Sequence, residues 1–183
     1  MSGHTGPKAI NTIYKGYRFR SRLEARWAVV FDALGVEYEY EPQGFDLRGV
    51  LYLPDFHMPQ SDYWIEVKPT RPSFGDEDYA KVALLAEETE RPVCVLIGQP
   101  PQRAEELDCI GFWPYMEYLE RPETAKPDPC NWWKCPGCKV YQLGATVDML
   151  PCECSPLAPN DPVVTSAMLR GRQARFEHGE TPR

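Results

Sequence analysis

The chain has 183 residues, of which 43% are hydrophobic and 26% are charged, as in an ordinary globular protein. Its formal net charge of −7 argues against a uniformly basic, phosphate-binding surface, although one local basic face stays possible. No segment reaches the apolar length of a membrane span, and residues 1–15 contain no secretory apolar stretch. We therefore expect a cytoplasmic protein whose seven cysteines are metal ligands or buried thiols rather than disulfides.

The first predicted elements are a small hairpin and an amphipathic helix. After a leader of residues 1–11, aromatic and basic side chains alternate over residues 14–20, which predicts the hairpin. Residues 21–34 have an apolar stripe at helical spacing and are followed by Gly35, which is typical of a helix end. Glu24 lies at the edge of that stripe, where its carboxylate can reach inward.

Strands follow, with one further helix between them. The patterns predict strands at residues 36–40, 50–56, 63–67 and 93–97, and a helix at residues 77–90. This order predicts an α/β fold with a mixed β-sheet flanked by helices. Residues 107–119 form the ordered part of a proline-rich region, residues 127–131 are a predicted linker, and residues 163–177 are a predicted C-terminal helix.

Two acids and a lysine are predicted to meet on one face of a hairpin. If the turn is centred between Gln60 and Ser61, Asp55 and Glu66 lie directly opposite each other, with Cβ atoms roughly 5 Å apart. Lys68 joins that face because side chains alternate along a strand. The two carboxylates and the carbonyl of Val67 are oxygen ligands that suit Mg²⁺.

This arrangement suits the hydrolysis of a phosphodiester bond. Bound Mg²⁺ activates water and neutralises the charge that develops on phosphorus. Lys68 would stabilise that charge as an ammonium, or help to deprotonate the water if its pKa is lowered. Glu24 could hold a metal-bound water or a second cation. Alternatively, Ser21 and Glu24 form a capping box, in which case Glu24 has only a structural role.

A cysteine-rich segment predicts a second metal site. The pair Cys135 and Cys138 is separated by thirteen residues from the pair Cys152 and Cys154, and four thiolates favour a structural, tetrahedral Zn²⁺ ion. Cys130 is a competing ligand. We accordingly predict a core over residues 1–125, a zinc-ribbon module over residues 126–160, and a C-terminal helix in residues 161–183 that packs on the core.

The positions of Glu24, of Asp55 after Pro54, and of Glu66-Val67-Lys68 resemble the PD-(D/E)xK nuclease superfamily. The likeness covers about residues 10–100 and includes the order helix, three strands, helix, strand. The segments at residues 19–28 and 174–179 further resemble small nucleases of this superfamily that are frequent in phages. No Gln-x-x-x-Tyr follows Lys68, which makes the exonuclease branch related to RecB and Cas4 a poorer match.

The resemblance implies a restriction-endonuclease-like fold and metal-dependent cleavage of DNA, in a bacterium or a phage-infected host cell. Asp55, Glu66 and Lys68 would be the catalytic core, with Glu24 as an accessory residue and Mg²⁺ or Mn²⁺ as cofactor. The basic residues Arg18, Arg20 and Arg22 are the predicted DNA contacts. Homodimer formation is possible by analogy. The alternative functions are a non-catalytic, zinc-containing nucleic-acid-binding or assembly protein, and cleavage of RNA.

Overall fold

The structure is a computed structural model that describes residues 10–114, 126–135, 137–145 and 161–176. The helices in this part of the chain are α1 (Arg22–Leu34), α2 (Asp76–Thr89) and α3 (Pro162–Gln173). The strands are β1 (Thr12–Tyr14), β2 (Tyr17–Phe19), β3 (Glu39–Tyr40), β4 (Phe45–Leu47), β5 (Val50–Tyr52), β6 (Phe56–Met58), β7 (Tyr63–Lys68), β8 (Val93–Ile97), β9 (Cys109–Phe112), β10 (Asp128–Pro129), β11 (Asn131–Lys134) and β12 (Tyr141–Gly144).

The predicted mixed α/β architecture is confirmed. Six strands form the main sheet in the order β10-β9-β8-β7-β6-β3, and β7 and β8 are its parallel pair. The other neighbours are antiparallel. Helix α2 makes the crossover between β7 and β8, as a parallel connection requires. The pairs β1–β2, β4–β5 and β11–β12 form separate two-stranded sheets.

The predicted register of the β6–β7 hairpin is also confirmed, because Phe56 pairs with Ile65 and Met58 pairs with Tyr63. The predicted length of the first strand of this hairpin is wrong. The segment predicted as one strand over residues 50–56 is divided into β5, which pairs with β4, and β6. Pro54 lies at the break, where its missing N–H cannot contribute to a ladder.

Helices cover both faces of the main sheet. On one face, α1 and α3 pack with the inward side chains of β6 and β7, and the rings of Phe31 and Phe56 are 5.2 Å apart. On the other face, α2 buries Val82 and Leu85 against β8. Helix α1 begins after Ser21, whose hydroxyl accepts from the Glu24 N–H, and ends at Gly35 with a φ of 67°.

The C-terminal helix packs on the core as predicted, although it ends earlier than residue 177. Helix α3 lies so close to α1 that a Cβ atom on Gly171 would be 2.5 Å from the Val30 side chain and 2.6 Å from the Arg26 carbonyl. Gly171 therefore sets the distance of closest approach between the two helices.

The predicted linker at residues 127–131 is wrong, because strand β10 lies within it and β11 begins at Asn131. Asp128 pairs with Gly111 and Pro129 pairs with Ile110, so β10 forms an edge of the main sheet. The hairpin β11–β12 that follows also packs on the core, since Trp132 and Leu143 are buried in the same cluster as α1. Among the described helices, none is long and apolar enough to cross a membrane.

Candidate active site

The structure brings Asp55, Glu66 and Lys68 together where β6 begins and β7 ends. Asp55 directly precedes β6 and continues its register, which places it opposite Glu66. The backbone N–H of Val67 donates to Asp55 Oδ2 over 2.7 Å, and this bond fixes the carboxylate next to β7. Glu66 and Lys68 lie on the face of β7 that α2 covers, as strand alternation requires.

A fourth side chain, Asp78, completes the cluster from the first turn of α2. The Lys68 ammonium lies 3.0 Å from Glu66 Oε1 and 2.9 Å from Asp78 Oδ1. Asp78 lies within the helix predicted over residues 77–90, but it was not among the predicted site residues. The sequence feature that could have assigned Asp78 to the site is its position in the first turn of α2. This helix begins soon after β7 and therefore starts at the same end of the sheet as Lys68.

One oxygen of Glu66 lacks a well-formed hydrogen bond. Glu66 is only 6% exposed, and its Oε2 atom and the Tyr52 hydroxyl are both buried without a hydrogen bond of normal geometry to a described residue, although Tyr52 lies close enough to Glu66 to lower the pKa of the carboxylate. A buried carboxylate oxygen in this state is costly, because its lost hydration is not replaced. A divalent cation bound by Glu66 would supply the missing partner for this oxygen.

The charges in the cluster shift one another's pKa values. Burial raises the pKa of Asp55 well above its usual value, and the neighbouring carboxylates of Glu66 and Glu24 add to the rise. Burial also raises the pKa of Glu66, although Lys68 opposes the shift. For Lys68, burial lowers the pKa, but Glu66 and Asp78 outweigh it and the net shift is upward. Lys68 is therefore held as an ammonium, which disfavours the predicted role as a base.

Glu24 is close to this cluster but is engaged elsewhere. Its Oε1 accepts from the Ser21 hydroxyl over 2.5 Å, while Oε2 accepts from the Arg20 N–H over 3.0 Å and from the Tyr40 hydroxyl over 2.6 Å. The contacts resemble the capping alternative, with the backbone N–H of Arg20 in place of that of Ser21. Glu24 thus fixes the start of α1 beside the acids.

The three arginines predicted to contact DNA have different surroundings. Arg18 and Arg20 are exposed, whereas Arg22 is half-buried in the first turn of α1. The Arg20 guanidinium pairs with Glu41 over 2.8 Å. Arg18 forms no ion pair within the described residues. Of the two exposed arginines, Arg20 is therefore engaged by an acid and Arg18 is the predicted contact whose charge is not engaged in this way.

Only part of the predicted zinc site lies within the described residues. The Cys138 N–H donates to Cys135 Sγ over 3.2 Å, which closes a tight turn between β11 and β12. This bond is compatible with the predicted metal-binding knuckle. Cys152 and Cys154 lie outside the described residues.

A different group of cysteines lies close together in the core. The sulfur atoms of Cys94, Cys109 and Cys130 are within 4.8 Å of one another, and all three residues are buried, so they could hold a metal ion. Hydrogen bonds from Cys109 and Cys130 lower the pKa of Cys94 to about 5. The sequence did not predict this group, because its members are brought together only by the order of the strands.

Comparisons of the chain with protein-family models, with curated proteins and with solved structures give no match. The function must therefore be inferred from the two clusters themselves.

Proposed function

We propose that this protein is a Mg²⁺-dependent deoxyribonuclease that hydrolyses phosphodiester bonds within DNA. The observation that supports this most is the group Asp55, Glu66 and Lys68 at one end of the neighbouring strands β6 and β7, where Glu66 Oε2 is buried without a well-formed hydrogen bond. Two buried acids beside one lysine are an expensive arrangement for a purely structural role, because burial disfavours their charges.

The donor set suits Mg²⁺ or Mn²⁺. Asp55 and Glu66 would hold the ion, with the Val67 carbonyl as the further predicted ligand, and these are all hard oxygen donors. When bound, the ion would activate a water molecule and neutralise negative charge on the phosphate. Val67 contributes in a second way, since its N–H holds Asp55 in place.

Lys68 would stabilise the charge on the phosphate. Its ammonium is held between Glu66 and Asp78, and its raised pKa keeps it protonated at neutral pH. A cation on Glu66 would take over the neutralisation of that carboxylate, so that Lys68 stays anchored by Asp78 and directs an N–H toward a non-bridging oxygen.

DNA is the proposed substrate because of the basic residues on the β1–β2 hairpin and the start of α1. Arg18 would contact the phosphate backbone, and Arg20 would join it by exchanging its pairing with Glu41. The proposed Zn²⁺ site at Cys135, Cys138, Cys152 and Cys154 would have a structural role or help to dock DNA.

The test is a cleavage assay with supercoiled plasmid, linear duplex, branched DNA and RNA, each with Mg²⁺, Mn²⁺ or EDTA. We expect metal-dependent cutting of at least one DNA form, reduced roughly 100-fold or more by Asp55→Asn, Glu66→Gln or Lys68→Met. The matched control is Glu105→Gln, an exposed acid outside the cluster, which should cut like the wild type.

Two results would reject the proposal. Undiminished cutting by a folded Asp55→Asn variant would show that the acid pair does not catalyse the reaction. DNA binding that is unchanged by EDTA, without products from any substrate, would favour the non-catalytic binding protein instead. Cleavage of RNA without cleavage of any DNA form would support the proposed metal site but would show that the substrate is RNA.

A further inference from the structure

Three sulfur atoms lie close together near the β10 edge of the main sheet, where β8, β9 and β10 are neighbours. Cys94 belongs to β8, Cys109 begins β9 and Cys130 directly follows β10. They are 1%, 2% and 2% exposed, and their sulfur atoms lie within 4.8 Å of one another. None of them belongs to the proposed active site, and Cys130, the competing ligand within the predicted zinc-ribbon module, lies with Cys94 and Cys109 instead.

The strand register explains this convergence. Cys94 is opposite Gly111, so Cys109, two residues before Gly111, points to the same face of the sheet. The backbone N–H of Cys130 donates to the Cys109 carbonyl over 2.9 Å, which places Cys130 beside Cys109. Three adjacent strands thus each contribute one sulfur to a single point.

Gly111 provides the space for the third sulfur. A Cβ atom at this position would be 2.6 Å from Cys130 Sγ and 2.9 Å from the ring of Trp113. Any larger residue would displace the sulfur or the ring, since both contacts are shorter than a carbon atom tolerates. The absence of a side chain at Gly111 therefore leaves the space that Cys130 Sγ occupies.

We propose that Cys94, Cys109 and Cys130 bind one thiophilic d¹⁰ metal ion, Zn²⁺ or Cu⁺, that fastens β10 to the main sheet. Metal–sulfur bonds of about 2.3 Å require sulfur atoms about 3.8–4.0 Å apart in tetrahedral or trigonal geometry, which the 4.8 Å limit accommodates. Three sulfur ligands suffice for trigonal Cu⁺ and leave one position on Zn²⁺ for another donor.

The chemistry of the group selects against harder ions. All three donors are sulfur, whereas Mg²⁺ and Ca²⁺ require oxygen ligands. Binding would form three metal–sulfur bonds and release to solvent the protons that the thiols carry. One of these protons belongs to Cys130, whose thiol donates to the Asp128 carbonyl over 3.6 Å without a metal.

A site here would have a mechanical consequence. Strand β10 is short, with the two residue pairs Asp128–Gly111 and Pro129–Ile110 to β9, and it leads directly into the β11–β12 hairpin. A metal that joins Cys130 to Cys94 and Cys109 would anchor that hairpin to the sheet. The competing explanation is that the cysteines only fill the core, as small apolar side chains do.

The first experiment isolates the three sulfurs. Changing Cys135, Cys138, Cys152 and Cys154 to serine leaves Cys94, Cys109 and Cys130 as the chain's remaining cysteines. The reduced protein is loaded anaerobically with Zn²⁺ in one arm and Cu⁺ in the other, and metal per chain is measured after desalting. We expect one equivalent in at least one arm, and a thiolate-to-metal charge-transfer absorption with Co²⁺. A folded variant that retains no ion in either arm would overturn the proposal.

The second experiment uses the full chain, in case the quadruple variant does not fold. Cys109→Ala and Cys94→Ala should each lower the metal content of the loaded protein by one equivalent. Val95→Ala is the matched control, because Val95 is a buried neighbour on the opposite face of β8 and should leave the metal content unchanged. Metal content unaffected by either cysteine variant would overturn the proposal, as would a Cys109–Cys130 disulfide in protein purified without reductant.

Discussion

Asp78 is the residue that links helix α2 to the proposed catalytic lysine. Its carboxylate lies 2.9 Å from the Lys68 ammonium, and Glu66 is the lysine's other partner at 3.0 Å. Cation binding at Glu66 would weaken that second contact, after which Asp78 alone would orient Lys68. Asp78 is therefore a positioning residue that acts through Lys68.

We expect Asp78→Asn to lower kcat for DNA cleavage about 10- to 100-fold with little change in KM, as loss of a supporting partner typically does. Steady-state cleavage kinetics would measure this. Glu77→Gln is the matched control, since Glu77 belongs to the same turn but its 84% exposed side chain pairs with Lys81. Equal losses in both variants would show that α2 is merely destabilised.

Glu24 provides a second prediction at the level of single residues. Its two oxygens accept three hydrogen bonds at the start of α1, and a glutamine would replace one of those acceptors with a donor. We expect Glu24→Gln to lower the free energy of unfolding by about 1–3 kcal/mol, measured by urea denaturation. Glu37→Gln, at an exposed position after α1, should be neutral.

The same variant separates the two roles of Glu24. If Glu24 is only structural, Glu24→Gln should cut DNA at the wild-type rate at temperatures well below its Tm. A large loss of activity in the folded variant would show instead that Glu24 takes part in the metal site, as the resemblance implies.

Among the secondary-structure elements, the contact between α1 and α3 depends on one glycine. A methyl group on Gly171 would approach the Val30 side chain and the Arg26 carbonyl to 2.5 and 2.6 Å. Alanine is a better helix former than glycine, but the clash of its methyl group with the neighbouring helix costs more than this preference gains, because the two helix backbones approach closely there. We expect Gly171→Ala to lower the free energy of unfolding by about 1–3 kcal/mol, measured by denaturant titration. Ser166→Ala, at an exposed position of α3, should not be destabilising.

The start of α3 is fixed by Asp161. Its carboxylate accepts from the Val163 N–H over 2.9 Å and from the Tyr141 hydroxyl over 2.8 Å, which ties α3 to β12. These bonds lower the pKa of Asp161 below its usual value, the Val163 N–H most strongly. The charged form therefore stabilises the fold above a pH of about 4, and that stability is lost as the pH falls through the lowered pKa.

We accordingly expect Asp161→Ala to cost about 1 kcal/mol of unfolding free energy at pH 7. The difference between wild type and variant should shrink as the pH is lowered below about 4, and urea denaturation at a series of pH values would measure it. A difference that does not change with pH would show that the Asp161 charge contributes nothing. Asp161→Asn keeps a capping side chain and should cost less.

For the whole molecule, the acid pair makes stability depend on a divalent ion. Asp55 and Glu66 repel each other in a buried site, so binding of Mg²⁺ or Mn²⁺ should stabilise the wild type and raise its Tm. At a metal concentration 100 times Kd, the free energy of unfolding should increase by about 2.7 kcal/mol. Asp55→Asn should be more stable than the wild type in EDTA and should show no metal-induced shift. Differential scanning fluorimetry would test both. Equal metal-induced shifts in both proteins would place the ion elsewhere.

Local signals predicted much of this fold. The apolar stripe and caps of α1, the continuous apolar run of β8 and the pairing of residues 56–58 with residues 63–65 all depend on neighbouring residues, and all are confirmed. The zinc ligands Cys152 and Cys154, the DNA contacts and the cleavage activity stay predictions.

What sequence could determine by itself is the convergence of Asp55, Glu66 and Lys68, because one hairpin and its two-residue alternation place all three. Only the tertiary structure decided what surrounds them. Asp78 contacts Lys68 from the crossover helix α2, and Glu24 accepts a hydrogen bond from Tyr40. It also decided the cysteine group, since Cys94, Cys109 and Cys130 meet only when β8, β9 and β10 become neighbours. Pairing between distant strands depends on the burial of the whole sheet, which no local pattern encodes.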